Sequence, residues 1–270
     1  MTTTHDGPMK RSAAKGSEPR LPADPTSAGP LPARVGAPAK GASVLLVAGF
    51  GALVACLVVL GSLAEGVRDK EVFLLDTLAT PFLHNLANPS LDQLMNDAST
   101  VGSTAVIPAL FAVALILLCV TRRFGAALFL TIASGGALLL NELMKLFFQR
   151  PRPELAWSHV LPDYSFPSGH TMNGVVFYIA IALIAWSIAG RRLGLLAMAI
   201  AIPLALGIGL SRIYLGYHYL TDVVGGLLAG TAWLLVLGAG FRARPTLWPW
   251  GDPRSPVGGR RGDARPGPSR

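Results

Sequence analysis

Residues 171–211 read TMNGVVFYIAIALIAWSIAG, then RR, then LGLLAMAIAIPLALGIGLS: twenty uncharged residues, two arginines, and nineteen more uncharged residues. A helix needs about 20 mostly apolar residues to cross a bilayer, within a range of about 17–25. The segment therefore predicts two membrane helices joined at Arg191-Arg192. Four further uncharged blocks have comparable length: 41–64, 98–121, 124–141 and 223–241. The third of the six runs a turn further, through Glu142 to about Lys145. The expectation is an all-α polytopic membrane protein, a bundle of six transmembrane helices with interfacial amphipathic helices.

Composition agrees. Of 270 residues, 51% are hydrophobic and only 14% are charged, where soluble domains have about 25% charged residues. A disordered chain and a typical nucleic-acid-binding domain are excluded, and the packing of apolar residues into long uncharged blocks argues against a single water-soluble globule. The first block follows a leader too long for an ordinary signal peptide and is itself longer than a signal-peptide core, so it reads as a retained helix. Cys56 and Cys119 lie inside apolar blocks and read as small apolar fillers.

Three segments make up the chain: a disordered cytoplasmic tail over 1–40, a membrane domain over 41–241, and a disordered basic cytoplasmic tail over 242–270. Both tails are rich in Pro, Gly and small or basic residues without periodicity. Trp248 and Trp250 read as interface anchors. Residues 65–97 interleave Val72, Phe73, Leu74, Leu75, Leu78, Phe82, Leu83, Leu91, Leu94 and Met95 with charges. They read as one or two amphipathic helices on the outer membrane face.

Seventeen of the 23 Lys and Arg residues fall in the two tails and in the loops at 122–123 and 191–192. The positive-inside rule then puts both termini in the cytoplasm. With that parity, three polar segments converge on the extracytoplasmic face: Lys145–Pro153, Ser165–Asn173 and Ser211–Asp222. A charge at the bilayer midplane costs about 2.5–3.5 kcal/mol on the translocon scale, and residues at helix ends avoid it.

Lys145, Arg152 and Arg212 suit a multiply charged anion, and Arg forks onto two phosphate oxygens. Pro167-Ser168-Gly169-His170 opens a helix whose amino terminus offers free N–H groups, and Ser168 adds a hydroxyl. His170 and His218 offer an acid and a nucleophile or base near neutral pH. Asp222, four residues after His218, can hold its tautomer as the orienting acid of a triad does. The set points to phosphoryl transfer with no metal and no cofactor. Each residue taken singly also has a plainer account. Lys145 can pair with Glu142 at i, i+3, Arg150 and Arg152 can anchor a loop, His170 can start a helix, and Asp222 can cap one. His84 and His159 read as surface residues, and His5 lies in the tail.

Together, Lys145-x6-Arg152-Pro153, Pro167-Ser168-Gly169-His170 and Ser211-Arg212-x5-His218-x3-Asp222 resemble the tripartite signature of the type-2 phosphatidic-acid phosphatase superfamily, whose membrane branch shares its site with vanadium haloperoxidases. Arg150-Pro151 duplicates Arg152-Pro153, and only the six-residue spacing selects Arg152. The resemblance implies that His218 attacks phosphorus to form a phosphohistidine and that Asp222 orients it. It further implies that His170 protonates the leaving oxygen, and that Lys145, Arg152, Ser168, Gly169 and Arg212 hold the phosphate. The function expected is metal-independent hydrolysis of a lipid phosphate of the phosphatidic acid or phosphatidylglycerol phosphate class. Polyprenyl (undecaprenyl) diphosphate is the alternative substrate. A lipid-binding or transporter-like protein is the non-enzyme alternative, disfavoured because a pure anion binder needs the cations but not the nucleophile. The partners expected are the lipid substrate and the bilayer of the plasma membrane, with no nucleic acid and no obligate protein partner.

Overall fold

A computed structural model describes residues 40–71, 73–158 and 161–243, nearly all of them in the compact unit that begins at Val44. The described residues form seven helices in the order α1 (Lys40–Arg68), α2 (Leu74–His84), α3 (Pro89–Val101), α4 (Val106–Val120), α5 (Phe124–Phe148), α6 (Gly169–Tyr214) and α7 (Leu220–Ala243). The described part is all-α. Nearly all of the two tails, with Trp248, Trp250 and His5, and also His159, lie outside the described residues.

Local chemistry sets several boundaries. Asn88 caps α3 by accepting from Leu91 N at 3.0 Å, with Pro89 at the first turn. Gln149 ends α5 in the left-handed region, at φ 47°, and Pro151 follows it. Gly190 breaks α6 at φ 81° and ψ −177°, a conformation that only glycine adopts without strain.

The break at Gly190 matters most for the architecture. Unbroken, 46 residues would reach about 70 Å, more than twice the roughly 30 Å of hydrocarbon. Instead the chain reverses. Trp186 lies against Gly194, Ile208 against Gly174, and Thr171 against Gly209. The two arms of α6 therefore run antiparallel, and both ends of the helix, Gly169 and Tyr214, return to the same end of the bundle.

By length and composition, four described helices can cross a membrane, or five if α3 and α4, bent by 47°, form one broken span. The sequence led to six separate spans. Blocks 171–190 and 193–211 are the two antiparallel arms of α6, parted at Gly190, and the described helices divide differently in one place. Block 98–121 begins inside α3 and is divided by the bend before α4. The third block runs past Lys145, to Phe148.

The core mixes alanines with large apolar side chains. Phe129, Leu130, Ala133 and Ala137 of α5 pack against Met172, Val176 and Ala180 of α6 and Ala229 of α7. Trp233 Nε1 donates to Ala133 O at 2.9 Å, pinning α7 to α5. The outside is apolar as well: Phe50, Ile116, Val120 and Phe147 are all exposed. In water such a surface would drive association; here it is the lipid-facing surface of a multi-pass membrane protein. Helix α2 turns Asp76 and Thr80 inward and exposes Leu74, Leu75, Leu78 and Phe82. That inverted amphipathicity fits a helix lying against lipid, in the segment where the sequence places interfacial helices.

Candidate active site

The end of the bundle opposite Gly190 gathers the carboxyl end of α5, both ends of α6, the start of α7, and helices α2 and α3. All eight residues singled out from the sequence stand there. Lys145 comes from the last turn of α5, and Arg152 from the extended segment after it. Ser168, Gly169 and His170 open α6, and Arg212 closes it. His218 follows in the short link to α7, and Asp222 lies in the first turn of α7.

His218 is the centre. It is 1% exposed. Its Nδ1 faces Asp222 Oδ2 at 3.4 Å, and its Nε2 faces Arg152 Nη1 at 3.0 Å. Asp222 is held in turn by Tyr219 N, which donates to Oδ2 at 2.9 Å. Burial pushes the His218 pKa down to about 4; Asp222 pulls the other way, while the Arg152 and Arg212 charges add to the fall. The ring is therefore neutral at neutral pH, with Nε2 as the nitrogen turned toward the cations.

Arg152 Nη1 donates to Tyr217 O at 2.8 Å, and its Nε and Nη2 clamp Asp163 Oδ1 at 2.9 and 2.7 Å. Lys145 Nζ meets the other oxygen of Asp163 at 2.6 Å, whereas Glu142 is 4.0 Å away. Asp163 is thus the main partner of Lys145, in place of the i, i+3 pairing. Burial works to raise the Asp163 pKa, but Lys145 and Arg152 outweigh it and hold the group below the ordinary carboxylate range. Arg212 is 4% exposed, stacks over Tyr217 at 4.3 Å and donates to Ser99 Oγ. Its Nε is buried with no hydrogen-bond partner among the described residues.

The start of α6 is fixed by contacts made across the sequence. Ser168 N donates to Asp222 O at 3.0 Å, and Thr171 Oγ1 donates to Ser168 Oγ at 2.9 Å. The second bond leaves the Ser168 hydroxyl hydrogen free to point elsewhere. Asn141 Nδ2 donates to Pro167 O at 3.2 Å. Gly226 of α7 makes the approach possible, because a Cβ there would stand 2.8 Å from Ser168 O. Beside His170 and Arg212 opens a cavity of about 260 Å³, lined also by Asn96, Ser99, Thr100 and Tyr217.

The duplicated Arg-Pro pair is resolved by geometry. Arg152 reaches His218, and Arg150 turns to the far side of Asp222, donating from Nη1 to Oδ1 at 2.5 Å. Arg150 is not a loop anchor. Its Nη2 also donates to Asp76 Oδ2 at 2.8 Å. Burial works against its charge, but Asp222 and Asp76 together raise its pKa. Of the other histidines, His84 stacks on Trp157 at 3.8 Å.

Sequence reasoning missed Asp163, Asp76, Thr221, Asn141 and the role of Arg150. Asp76 left one trace, a single carboxylate inside the apolar run 72–78. Arg150 left another, the duplicated Arg-Pro pair; Asp163, Thr221 and Asn141 left none, since each is defined by a partner more than ten residues away.

The PAP2 superfamily matches residues 124–246. Phosphatidylglycerophosphatase B of Bacillus subtilis is 30% identical over 170 residues, covering 62% of this chain and 84% of the relative. The putative undecaprenyl-diphosphatase YbjG of Escherichia coli is 36% identical over 132 residues, covering 46% of this chain and 61% of the relative. Among solved structures, a transmembrane PAP2-type phosphatidylglycerolphosphate phosphatase from Bacillus subtilis superposes with a TM-score of 0.65 at 24% identity. It covers 71% of this chain and 96% of that one, and the likeness is one of fold.

Proposed function

The chain belongs to the PAP2 superfamily, and on that premise we propose a metal-independent lipid phosphate phosphatase that works through a phosphohistidine. The observation that carries the reading is the buried constellation around His218: an orienting carboxylate on Nδ1, a guanidinium on Nε2, and a second buried guanidinium with an unpartnered Nε.

Phosphoryl transfer asks little covalent chemistry of a protein and much positioning and charge stabilisation. Lys145, Arg152, Arg212, the Ser168 hydroxyl and the first amides of α6 hold the phosphate oxygens. His218 Nε2 then bonds to phosphorus while the bond to the leaving oxygen breaks. His170 gives that oxygen its proton. Asp222 stabilises the positive ring that results. Water gives a proton to His170 as it attacks phosphorus, the P–N bond breaks to restore neutral His218, and inorganic phosphate leaves. The polar cavity beside His170 receives the leaving side of the substrate.

A phosphomonoester lipid of the phosphatidylglycerol phosphate or phosphatidic acid class is the substrate proposed; a relative named phosphatidylglycerophosphatase B, 84% of which the chain covers, supports the first of the two. The second reading is an undecaprenyl-like diphosphate, supported by two relatives named undecaprenyl-diphosphatases. A panel in detergent micelles separates them: phosphatidic acid, phosphatidylglycerol phosphate, and C55 polyprenyl monophosphate and diphosphate. Release of phosphate from none of the four sinks the lipid phosphatase reading. Excess EDTA is expected to leave the rate nearly unchanged, because the cationic role is filled by side chains. A collapse restored by magnesium overturns that point. Vanadate is expected to inhibit, since its five-coordinate form mimics the transferring phosphorus.

The site is proposed to open outside the cytoplasm, in the plasma membrane, with both termini inside. The skewed distribution of Lys and Arg supports this orientation. Ala156 and Ala189 are exposed at opposite ends of the helices. With Cys56 and Cys119 replaced, Ala156→Cys is expected to label in intact cells with an impermeant maleimide, and Ala189→Cys only after lysis. The reverse pattern places the chemistry in the cytoplasm.

A further inference from the structure

Asp222, the acid behind His218, is not alone on its other side. Asp76 of α2, 5% exposed, reaches across from a helix otherwise committed to the lipid-facing surface. Its Oδ1 accepts from Thr221 N at 2.8 Å. Its Oδ2 accepts from Thr221 Oγ1 at 2.6 Å and from Arg150 Nη2 at 2.8 Å. Arg150 Nη1 donates to Thr221 Oγ1 at 2.8 Å and to Asp222 Oδ1 at 2.5 Å, and the guanidinium lies 4.2 Å from the centroid of the Tyr219 ring. One guanidinium is thus shared by two buried carboxylates, and the second of them faces the nucleophile.

The charge count gives this network a consequence. A buried pair of Arg150 and Asp222 alone would be neutral, and Asp222 would have little left to offer an imidazole. With Asp76 included, the trio carries one net negative charge, next to His218. The His218 ring becomes positive as Nε2 bonds to phosphorus, and a residual negative charge in a dry site stabilises it strongly. We propose that Asp76 is a positioning residue for the transfer step: it draws Arg150 away from full neutralisation of Asp222, so that Asp222 keeps its charge for His218. This rests on the reading of His218 as nucleophile given above.

The test is Asp76→Asn in full-length protein purified in detergent. The change is nearly isosteric and keeps an acceptor for Thr221 N. Expected is a fall in kcat on p-nitrophenyl phosphate of about 10- to 50-fold, within the range of coupling seen for groups in one buried network. KM stays within about twofold, because Asp76 touches no phosphate-holding group, and phosphoenzyme formation slows in rapid quench. Adding Arg150→Gln removes the rival cation, and the double variant is expected to be about fivefold faster than the single one. A single variant with kcat within about twofold of wild type overturns the proposal, as does a double variant no faster than the single.

Should Asp76→Asn fail to insert, Arg150→Gln alone decides. His218 is faced by Asp222, Arg152, Arg212 and His170, and freeing Asp222 moves the acid limb of kcat/KM to higher pH. An unmoved limb overturns the proposal. A wild-type protein inactive on every phosphate ester sinks the phosphatase reading itself, whereas an active wild type with an indistinguishable variant sinks only the role of Asp76.

Discussion

His218→Ala is expected to abolish the phosphoenzyme and to cut hydrolysis by at least about 10⁴-fold on every substrate, as loss of a nucleophile does where the base and its orienter act as one unit. The side chain is wholly enclosed, so the variant must first be shown to insert and to keep its helical content. In the wild type the same residue sets an acid limit on rate. Burial lowers the His218 pKa to about 4, below the ordinary value of 6.5. The neutral, nucleophilic form therefore persists in the free enzyme down to about that pH, and kcat/KM is lost as pH falls through it. A phosphoenzyme that survives in His218→Ala removes the assignment of the nucleophile. An acid limb near the ordinary histidine value of 6.5 that disappears with His218 shows a ring more solvated than its 1% exposure implies.

His170→Ala is expected to discriminate between leaving groups. A lipid alkoxide leaves poorly and needs the proton; a nitrophenolate leaves with little help. The loss on a lipid monophosphate should therefore exceed the loss on p-nitrophenyl phosphate by up to the roughly 10²–10⁴-fold typical of general acid catalysis. The variant should still form phosphoenzyme from the activated ester, and accumulate it if His170 later activates water. Side-by-side kcat/KM values on the two substrates check this. Equal losses on both, in properly inserted protein, leave His170 as a phosphate-holding or structural residue and not the acid. The cavity against His170 and Arg212 is where the leaving group is expected to lie.

A good share of this protein was legible in its sequence. Uncharged blocks of 18–24 residues specify membrane-length helices with no knowledge of the fold, because each unsatisfied polar group costs several kcal/mol in the bilayer. The eight candidate residues were found from local sequence too: in a chain this apolar the charged and histidine residues at helix ends stand out, and Ser168 and Gly169 adjoin His170. The i, i+4 spacing of His218 and Asp222 is local, and a local spacing survives folding; the structure puts the two within 3.4 Å.

What only the tertiary structure decided depends on partners far apart in the chain. Hydropathy and helix parity already bring Arg212 to the end that holds His170, but no rule of spacing says that the reversal falls at Gly190 or that α3 and α4 form a bent pair. Nor does one say that Asp163 bridges Lys145 and Arg152, that Asn141 holds the Pro167 carbonyl, or that Gly226 lets that turn sit against α7. The two arginines at 150 and 152 show the limit most plainly. They share a residue type and a following proline, and the extended segment carries one to His218 and the other to the buried carboxylates Asp222 and Asp76. Hydropathy and motif spacing are properties of single segments. Which side of Asp222 a guanidinium reaches is set by contacts between segments, 72 residues apart for Arg150 and Asp222 and 145 for Asp76 and Thr221, and those contacts exist only once the helices have packed.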